Sequence, residues 1–514
     1  MKKILFIISL FSAVMFFTAC EDFLTEKPES VLTQVDFYTT PIRINQGVLG
    51  SYAGLASTLK DEWLFTELRS DNTCQDNTGS STTARIDQTD LTLFRTSPSL
   101  PILIDYWYKV FQNISNVNAV LPSVKDNAYI TIESQRAQYE AELLFIRALH
   151  YYNLVTFFGD MFKVTTVIGP NEAKRIPRSS VNEIYDEIII PDLIKAANQA
   201  PSTYPNAEKG RVTKWAAKGL LAKAYMMRGG AANIALAKPL LEEIMTSSPH
   251  SLLTGAGAFA NIFSTTNEMN NEIIFAVRYK GGALGVGSPF WSYFAPLGSG
   301  NTFLKIGTPM GYNAPTLEIR ALFDSIGGAD RKDASYRIWN RSATSQLPYI
   351  FKYNDPAISQ TFQAENDWIL LRHADVVLLY AEVLAQDGNH GDAHTYVNQV
   401  RNRAGAGAAP VGPYASKTEA LDGVYTERRL ELAFENQRWF DLLRMNKSYN
   451  DPLKAVNIMK KHVFETDWVL LYSKYNPIQP PEERFFIPAR LILPIPQTEL
   501  DTNNELDIEQ NEDY

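Results

Sequence analysis

Residues 427–445 read "ERRLELAFENQRWFDLLRM". Set on a helix, Arg428, Glu431, Glu435, Arg438 and Asp441 follow one another at spacings of three, four, three and three. Residues so spaced share a flank, and opposite charges there form ion pairs. Leu430, Ala433, Phe434 and Phe440 make an adjacent apolar stripe, which Leu432, Trp439 and Leu443 widen. A broad apolar stripe beside paired charges is what a helix packed between neighbours needs. Arginine partners also hold carboxylates at low pKa, which makes them poor general acids or bases. The stretch therefore predicts a structural helix with a local, self-neutralising charge ladder.

Outward from this stretch the chain is ordinary in composition, with 45% hydrophobic and 20% charged residues over a length of 514. The net charge of −9, without any long Lys/Arg run, argues against a nucleic-acid partner, which needs a concentrated positive surface. Aromatic content is high, with 25 Tyr and 27 Phe.

The chain opens with "MKKILFIISLFSAVMFFTAC". Lys2 and Lys3 precede an apolar run from Ile4 to Phe17 and then small residues, the pattern of a secretory signal peptide. Cys20 stands where a bacterial lipobox has its cysteine. It is the expected lipidation site, so the mature protein is anchored by lipid and does not span the membrane. No other stretch is long and apolar enough to cross a bilayer. Glu21 and Asp22 resemble an address for export to the outer face of the outer membrane. The expected organisation is a signal peptide at 1–19, a tether at 20–36 containing Pro28, and one large domain at 37–514. Cys74 then remains as a buried or semi-buried thiol.

Three- and four-residue apolar spacing predicts helices in "YWYKVFQNISNVNAVL", in "SQRAQYEAELLFIRALHYYNLVTFFGD" ending at Gly159, and in "GRVTKWAAKGLLAKAYMMRGG" ending at Gly229 and Gly230. "WILLRHADVVLLYAEVLAQDGNHGDAHTYVNQVRNRAG" reads as two further helices. Ala-, Leu- and Tyr-rich helices across short polar turns resemble degenerate tetratricopeptide-like repeats. The fold class is mainly α: a helical-repeat scaffold with long loop-rich insertions at roughly 71–100 and 280–350. "EIIFAVRY" reads as a short strand.

Chemistry is sparse. His390 and His394 lack a third ligand, so no metal site is expected. "GGALGVG" at 281–287 lacks the Lys-Ser/Thr of a phosphate-binding loop. No G-x-S-x-G elbow occurs. No catalytic residue or cofactor is assigned. A pair of opposed glycosidase carboxylates among the 57 acids stays open, because sequence does not show a cleft.

The opening stretch closely resembles the C-terminal motif of the SusD/RagB family of outer-membrane nutrient-binding lipoproteins. In matching order come "FLTEKPESVLTQVDFY", "WYKVFQNISNVN", "AELLFIRALHYYNLVTFFGD", "GRVTKWAAKGLLAKAY", "NEIIFAVRY", "LRHADVVLLYAEVLAQ" and "LILPIPQTELDTNNEL". The ending "NEDY" stands where Gly-Tyr is common. The resemblance implies four tetratricopeptide-like units and an irregular lobe carrying ligand loops. It implies a cell-surface lid on a SusC-like TonB-dependent transporter that captures oligosaccharides and is not an enzyme. A surface-anchored glycan-cleaving enzyme and a helical-repeat assembly lipoprotein remain the alternatives. A glycan site needs aromatic faces for the C–H-rich faces of sugar rings, and polar side chains for the hydroxyls. In the two insertions those residues are Asp71, Asn72, Arg85, Trp291, Tyr293 and Tyr312.

Overall fold

A computed structural model of the chain describes residues 37–75, 83–126, 128–343, 345–407, 412–465, 481–503, 505–506 and 508–514, with residues 83–85 described in backbone alone. The expected signal peptide, Cys20 and the whole of the tether lie outside these residues.

The fold is mainly α-helical. Helices α1 (Pro41–Thr66) and α2 (Pro101–Lys125) pack as a pair, as do α3 (Glu133–Phe158) with α4 (Ile190–Gln199), α5 (Lys214–Arg228) with α6 (Ala231–Ser247), and α7 (His373–Gln386) with α8 (His390–Arg403). Successive pairs join through α2–α3, α4–α5 and α6–α7. Local chemistry sets the ends. Pro41 opens α1 behind Thr40, whose hydroxyl accepts the Arg43 N–H, and Thr213 caps α5 in the same way. Gly159 ends α3 at φ 75°, a conformation that favours glycine. Close packing of α1 on α2 requires Gly54, since a Cβ there would lie 2.1 Å from Asn113 Oδ1. Asn113 Nδ2 in turn donates to the Ser51 carbonyl and meets His150 Nε2 at 2.8 Å, joining α1, α2 and α3.

An irregular lobe separates α6 from α7. Strand β1 (Ile273–Val277) pairs antiparallel with β4 (Trp368–Arg372), while β2 (Tyr336–Ser342) and β3 (Ser345–Ile350) form a hairpin. "WILLR" is thus a strand running directly into α7, where apolar periodicity predicts more helix. It is a short apolar run, which periodicity alone does not assign. The insertion at 71–100 is likewise not all loop. Thr73–Cys74 pairs with Ala314–Pro315, and Thr83–Thr92 is helical. Cys74 is buried, as expected.

The opening stretch departs most from its sequence reading. It is two helices, α9 (Lys417–Glu431) and α10 (Arg438–Ser448), joined by a tight turn. Phe434 and Asn436 sit in that turn at φ 69° and 60°. A left-handed Phe is unusual and needs outside support. Tyr353 Oη donates to the Phe434 carbonyl at 2.8 Å, and the Asn436 N–H donates to Glu67 Oε1 at 2.8 Å. The charges are paired, but mostly not along one flank. Glu431 meets Arg331, Arg372 and Arg403, and Glu435 meets Lys352 and Arg372. Arg428 bridges Asp375 of α7 and Asp441, and Asp441 also takes Arg444. Arg438 grips Asp71 with two bonds of 2.7 and 2.8 Å. Trp439 is fully buried, with the Arg69 guanidinium 4.4 Å above its ring. Burial alone would raise the Glu431 carboxyl, but Arg403, Arg372 and Arg331 override it and hold it well below the usual range.

The tail is docked on the same region. Arg69 donates to the Leu491 and Ile492 carbonyls, and Asn511 Nδ2 donates to the carbonyls of Phe158 and Leu493.

Two outcomes follow for stability. Arg438→Ala leaves Asp71 buried without its bidentate partner, so urea denaturation at pH 7 should show a loss of about 3–5 kcal/mol. A loss under about 1 kcal/mol, the surface-pair scale, would contradict a structural role. Glu67 behaves oppositely to Glu431. Burial pushes its carboxyl up to about 8, against about 4.3 in an unfolded chain. Between those values the native state binds a proton that the unfolded chain has released, so this group's contribution to stability falls as pH rises. Glu67→Gln should therefore flatten the decline in unfolding free energy between about pH 5 and 8; an unchanged slope would show that Glu67 is ionised throughout.

Candidate functional site

The residues expected to bind ligand separate into two groups. Asp71 and Asn72 are buried and structural. Asp71 is held by Arg438 and Arg429, and Asn72 Oδ1 accepts from Arg429 Nε at 2.9 Å. The Thr316 N–H donates to the Asn72 carbonyl, which continues the short Thr73–Cys74 ladder. These polar residues of the first insertion face buried Arg438 and part-buried Arg429, not solvent. Trp291 is also withdrawn, with no exposed surface, inside a cluster with Phe303, Tyr349 and Phe351. The Arg85 side chain lies outside the described residues.

Tyr293 and Tyr312 do come together. Both are half-buried, with ring centroids 5.7 Å apart, and the Tyr312 N–H donates to the Tyr293 carbonyl at 2.9 Å. One short helix, Phe290–Phe294, explains why Tyr293 is accessible and Trp291 is not: two positions along a helical turn point to different sides. Phe362 continues the aromatic surface at 5.7 Å from Tyr293. Behind it lies buried Trp63 of α1, stacked on Tyr312 at 6.3 Å and 11°.

Polar groups rim this platform. Lys109 of α2 reaches Asp61 of α1 at 2.8 Å and Asp105 at 2.5 Å, and Tyr108 beside it is exposed. Burial, reinforced by the Asp61 charge, pushes the Tyr293 phenol up to about 12, so it remains a hydroxyl donor at neutral pH. Asp61 is itself raised, first by burial.

Beside the platform opens a groove of about 620 Å³. The outward face of α1, the segment around Lys209–Arg211, the end of β1 and the glycine-rich loop at Gly285–Val286 form its walls. Lys60 lines it, one turn before Trp63, whose indole N–H donates to the Lys60 carbonyl at 3.0 Å. Groove and platform thus meet at the last turns of α1. The volume suits a few sugar rings, within the ordinary range for ligand sites.

Sequence reasoning missed Lys60, Asp61, Trp63, Lys109 and Phe362. One signal was present: Lys60, Asp61 and Glu62 are three successive charges near the end of a helix whose earlier part carries only Arg43. His390 and His394 both lie on α8, with His394 packed edge-on against Tyr414, and no group of potential metal ligands occurs among the described residues.

A family model described as the SusD family matches residues 325–514. A second, described as starch-binding associating with outer membrane, matches residues 22–226. SusD-like protein P25 of Formosa agariphila is 28% identical over 481 residues, covering 83% of this chain and 87% of its own length. A SusD-like protein of Bacteroides ovatus is 22% identical and covers 86% of this chain and 82% of its own. Among solved structures, a laminarin-binding SusD-like protein superposes with a TM-score of 0.73 at 22% identity, covering 93% of this chain and 100% of that one. Surface glycan-binding protein A from Bacteroides thetaiotaomicron, in complex with laminarihexaose, gives 0.72 at 20% identity, with 92% and 100% covered. Together with the ordered sequence motifs and the helical-pair scaffold, these matches establish that the chain belongs to the SusD/RagB family.

Proposed function

We propose that the protein captures oligosaccharides at the outer-membrane surface, held there by a lipid on Cys20, and passes them to a SusC-like TonB-dependent transporter. The observation that carries this reading is the half-exposed platform of Tyr293, Tyr312 and Phe362, to which the groove beside α1 is linked through Lys60 in its wall and Trp63 behind Tyr312. Aromatic faces take the apolar faces of sugar rings, while Lys109, Asp61 and the tyrosine hydroxyls offer donors and acceptors for hydroxyl groups. The relatives named for surface glycan binding, one of them complexed with laminarihexaose, support the same ligand class. The family description that mentions outer-membrane association supports the location.

A binding role is favoured over hydrolysis by where the three most strongly raised carboxyls lie. Glu62, raised to about 7, is buried against Tyr106 and Asn153, and Glu67 sits under the α9–α10 turn. Asp367, also raised to about 7 by burial, is held by the Tyr279 N–H and the Arg278 guanidinium. None of the three is offered to a ligand as a free acid.

Affinity electrophoresis of the mature chain through gels containing polysaccharides tests this reading. At least one polysaccharide should retard the protein without new reducing ends appearing. Tyr293→Ala and Tyr312→Ala should each weaken that binding about tenfold with little change in melting temperature. Sustained release of reducing ends would favour the enzyme reading. Failure to co-purify with an outer-membrane β-barrel from native membranes would remove the transporter partner.

A further inference from the structure

The groove's charge is at odds with that of the whole chain. Its lining carries Lys60, Lys209, Arg211 and Arg278 against one carboxylate, Glu208, in a protein of net charge −9. The four cations are not equivalent. Arg211 is held from behind by Glu142 at 3.0 Å and by Asn45 Oδ1 at 2.9 Å. Arg278 is held by Glu268 and Asp367 at 2.6 and 2.5 Å. These carboxylates fix the two guanidiniums along the wall. Lys60 and Lys209 make no ion pair among the described residues. Lys209 is exposed at the rim. Lys60 is half-buried where groove meets platform, and it feels the like charge of Lys109 as well as the opposite charge of Asp61. Burial and then Lys109 lower its pKa, against the opposing effect of Asp61.

A half-buried cation without an ion-pair partner costs free energy that a ligand anion can recover, and inside a groove the attraction is stronger than on an open surface. A neutral glucan would leave Lys60 as it is. Resting on the glycan-binding reading above, we infer that the groove selects a saccharide with anionic substituents, carboxylate or sulfate. Lys60 and Lys209 meet the anionic groups, and Tyr293 and Tyr312 hold the adjoining ring. The geometry places Lys60 one helical turn from Trp63, which stacks on Tyr312, so anion and sugar ring are read from neighbouring positions on α1.

The test is isothermal titration of the mature chain with uronate-bearing and sulfated polysaccharides, each beside its carboxyl-reduced or desulfated derivative, and with neutral glucans. At least one anionic polymer should bind, with its neutralised derivative about tenfold weaker. The arm that responds tells carboxylate from sulfate. Raising the salt from about 0.05 to 0.5 M should weaken binding of the anionic polymer, because exposed charge contacts are screened. The Lys60→Gln/Lys209→Gln double variant should lose the same factor with its melting temperature unchanged, while Tyr293→Ala should weaken charged and neutralised polymers alike. Equal affinity for charged and neutralised polymers, or binding of neutral glucans alone, overturns the anion assignment and leaves glycan binding standing. Binding of no polymer at all overturns the glycan reading itself.

Discussion

Glu431 receives three guanidiniums, from Arg331, Arg372 and Arg403, and all four side chains are buried. Around it, Glu427 meets Arg331 and Arg401, Glu272 meets Arg372 and Arg403, and Glu435 meets Lys352 and Arg372. Charges this far from water are tolerable only when each has partners, because the desolvation penalty can exceed the pairwise attraction. The arrangement therefore carries positional information. Arg331 comes from the irregular lobe, Lys352 from the end of the hairpin, Arg372 from the end of β4, and Arg401 and Arg403 from the end of α8. A shift of any of these elements would strand a buried charge. The network fixes how the lobe sits on the helical pairs, and the groove lies where lobe and pairs meet.

That dependence explains which parts of the fold are legible in the sequence. Helices α2, α3 and α5 announce themselves by apolar spacing, and α3 and α5 also by glycine stops, since these signals are local. The α9–α10 stretch is legible as structural but not as two helices. Its residues have helical spacing, yet Phe434 and Asn436 turn left-handed because Tyr353 and Glu67, from distant parts of the chain, bind the turn. Its charges are self-complementary in number, so a local ladder is a natural reading. Their actual partners lie 13 to 367 residues away for Arg428 with Asp441 and Arg438 with Asp71. Spacing along one helix carries no trace of such pairing.

The site follows the same logic. A polar stretch such as "SDNTC" looks solvated, but Asp71 and Asn72 are buried because Arg429 and Arg438 need acceptors. Aromatic content points to the segment at 290–312, and Tyr293 and Tyr312 do meet there. Composition does not tell Tyr293 from Trp291, which share one short helix. Only packing decides, and the larger apolar ring takes the interior. Of the missed residues, Lys60, Asp61 and Lys109 sit on α1 and α2, within the scaffold itself, where apolar periodicity draws attention to the buried face and away from the outward one.

Paired and unpaired charge divide the molecule's labour. Inside, guanidinium and carboxylate are matched closely enough to hold Glu431, Asp375 and Asp71 well below the usual carboxylate range against the opposing effect of burial. Those matched pairs are committed to one another, and their stiffness is what they contribute to the site. At the groove the matching is incomplete. Two arginines are backed by carboxylates, and two lysines are left without partners among the described residues. The half-buried ammonium of Lys60 does not lack a neighbouring acid: Asp61 is adjacent in sequence and is engaged by Lys109 instead. Lys109 takes that carboxylate and keeps Lys60 available, so the α1–α2 pair preorganises the groove's cation by the same means that order the core.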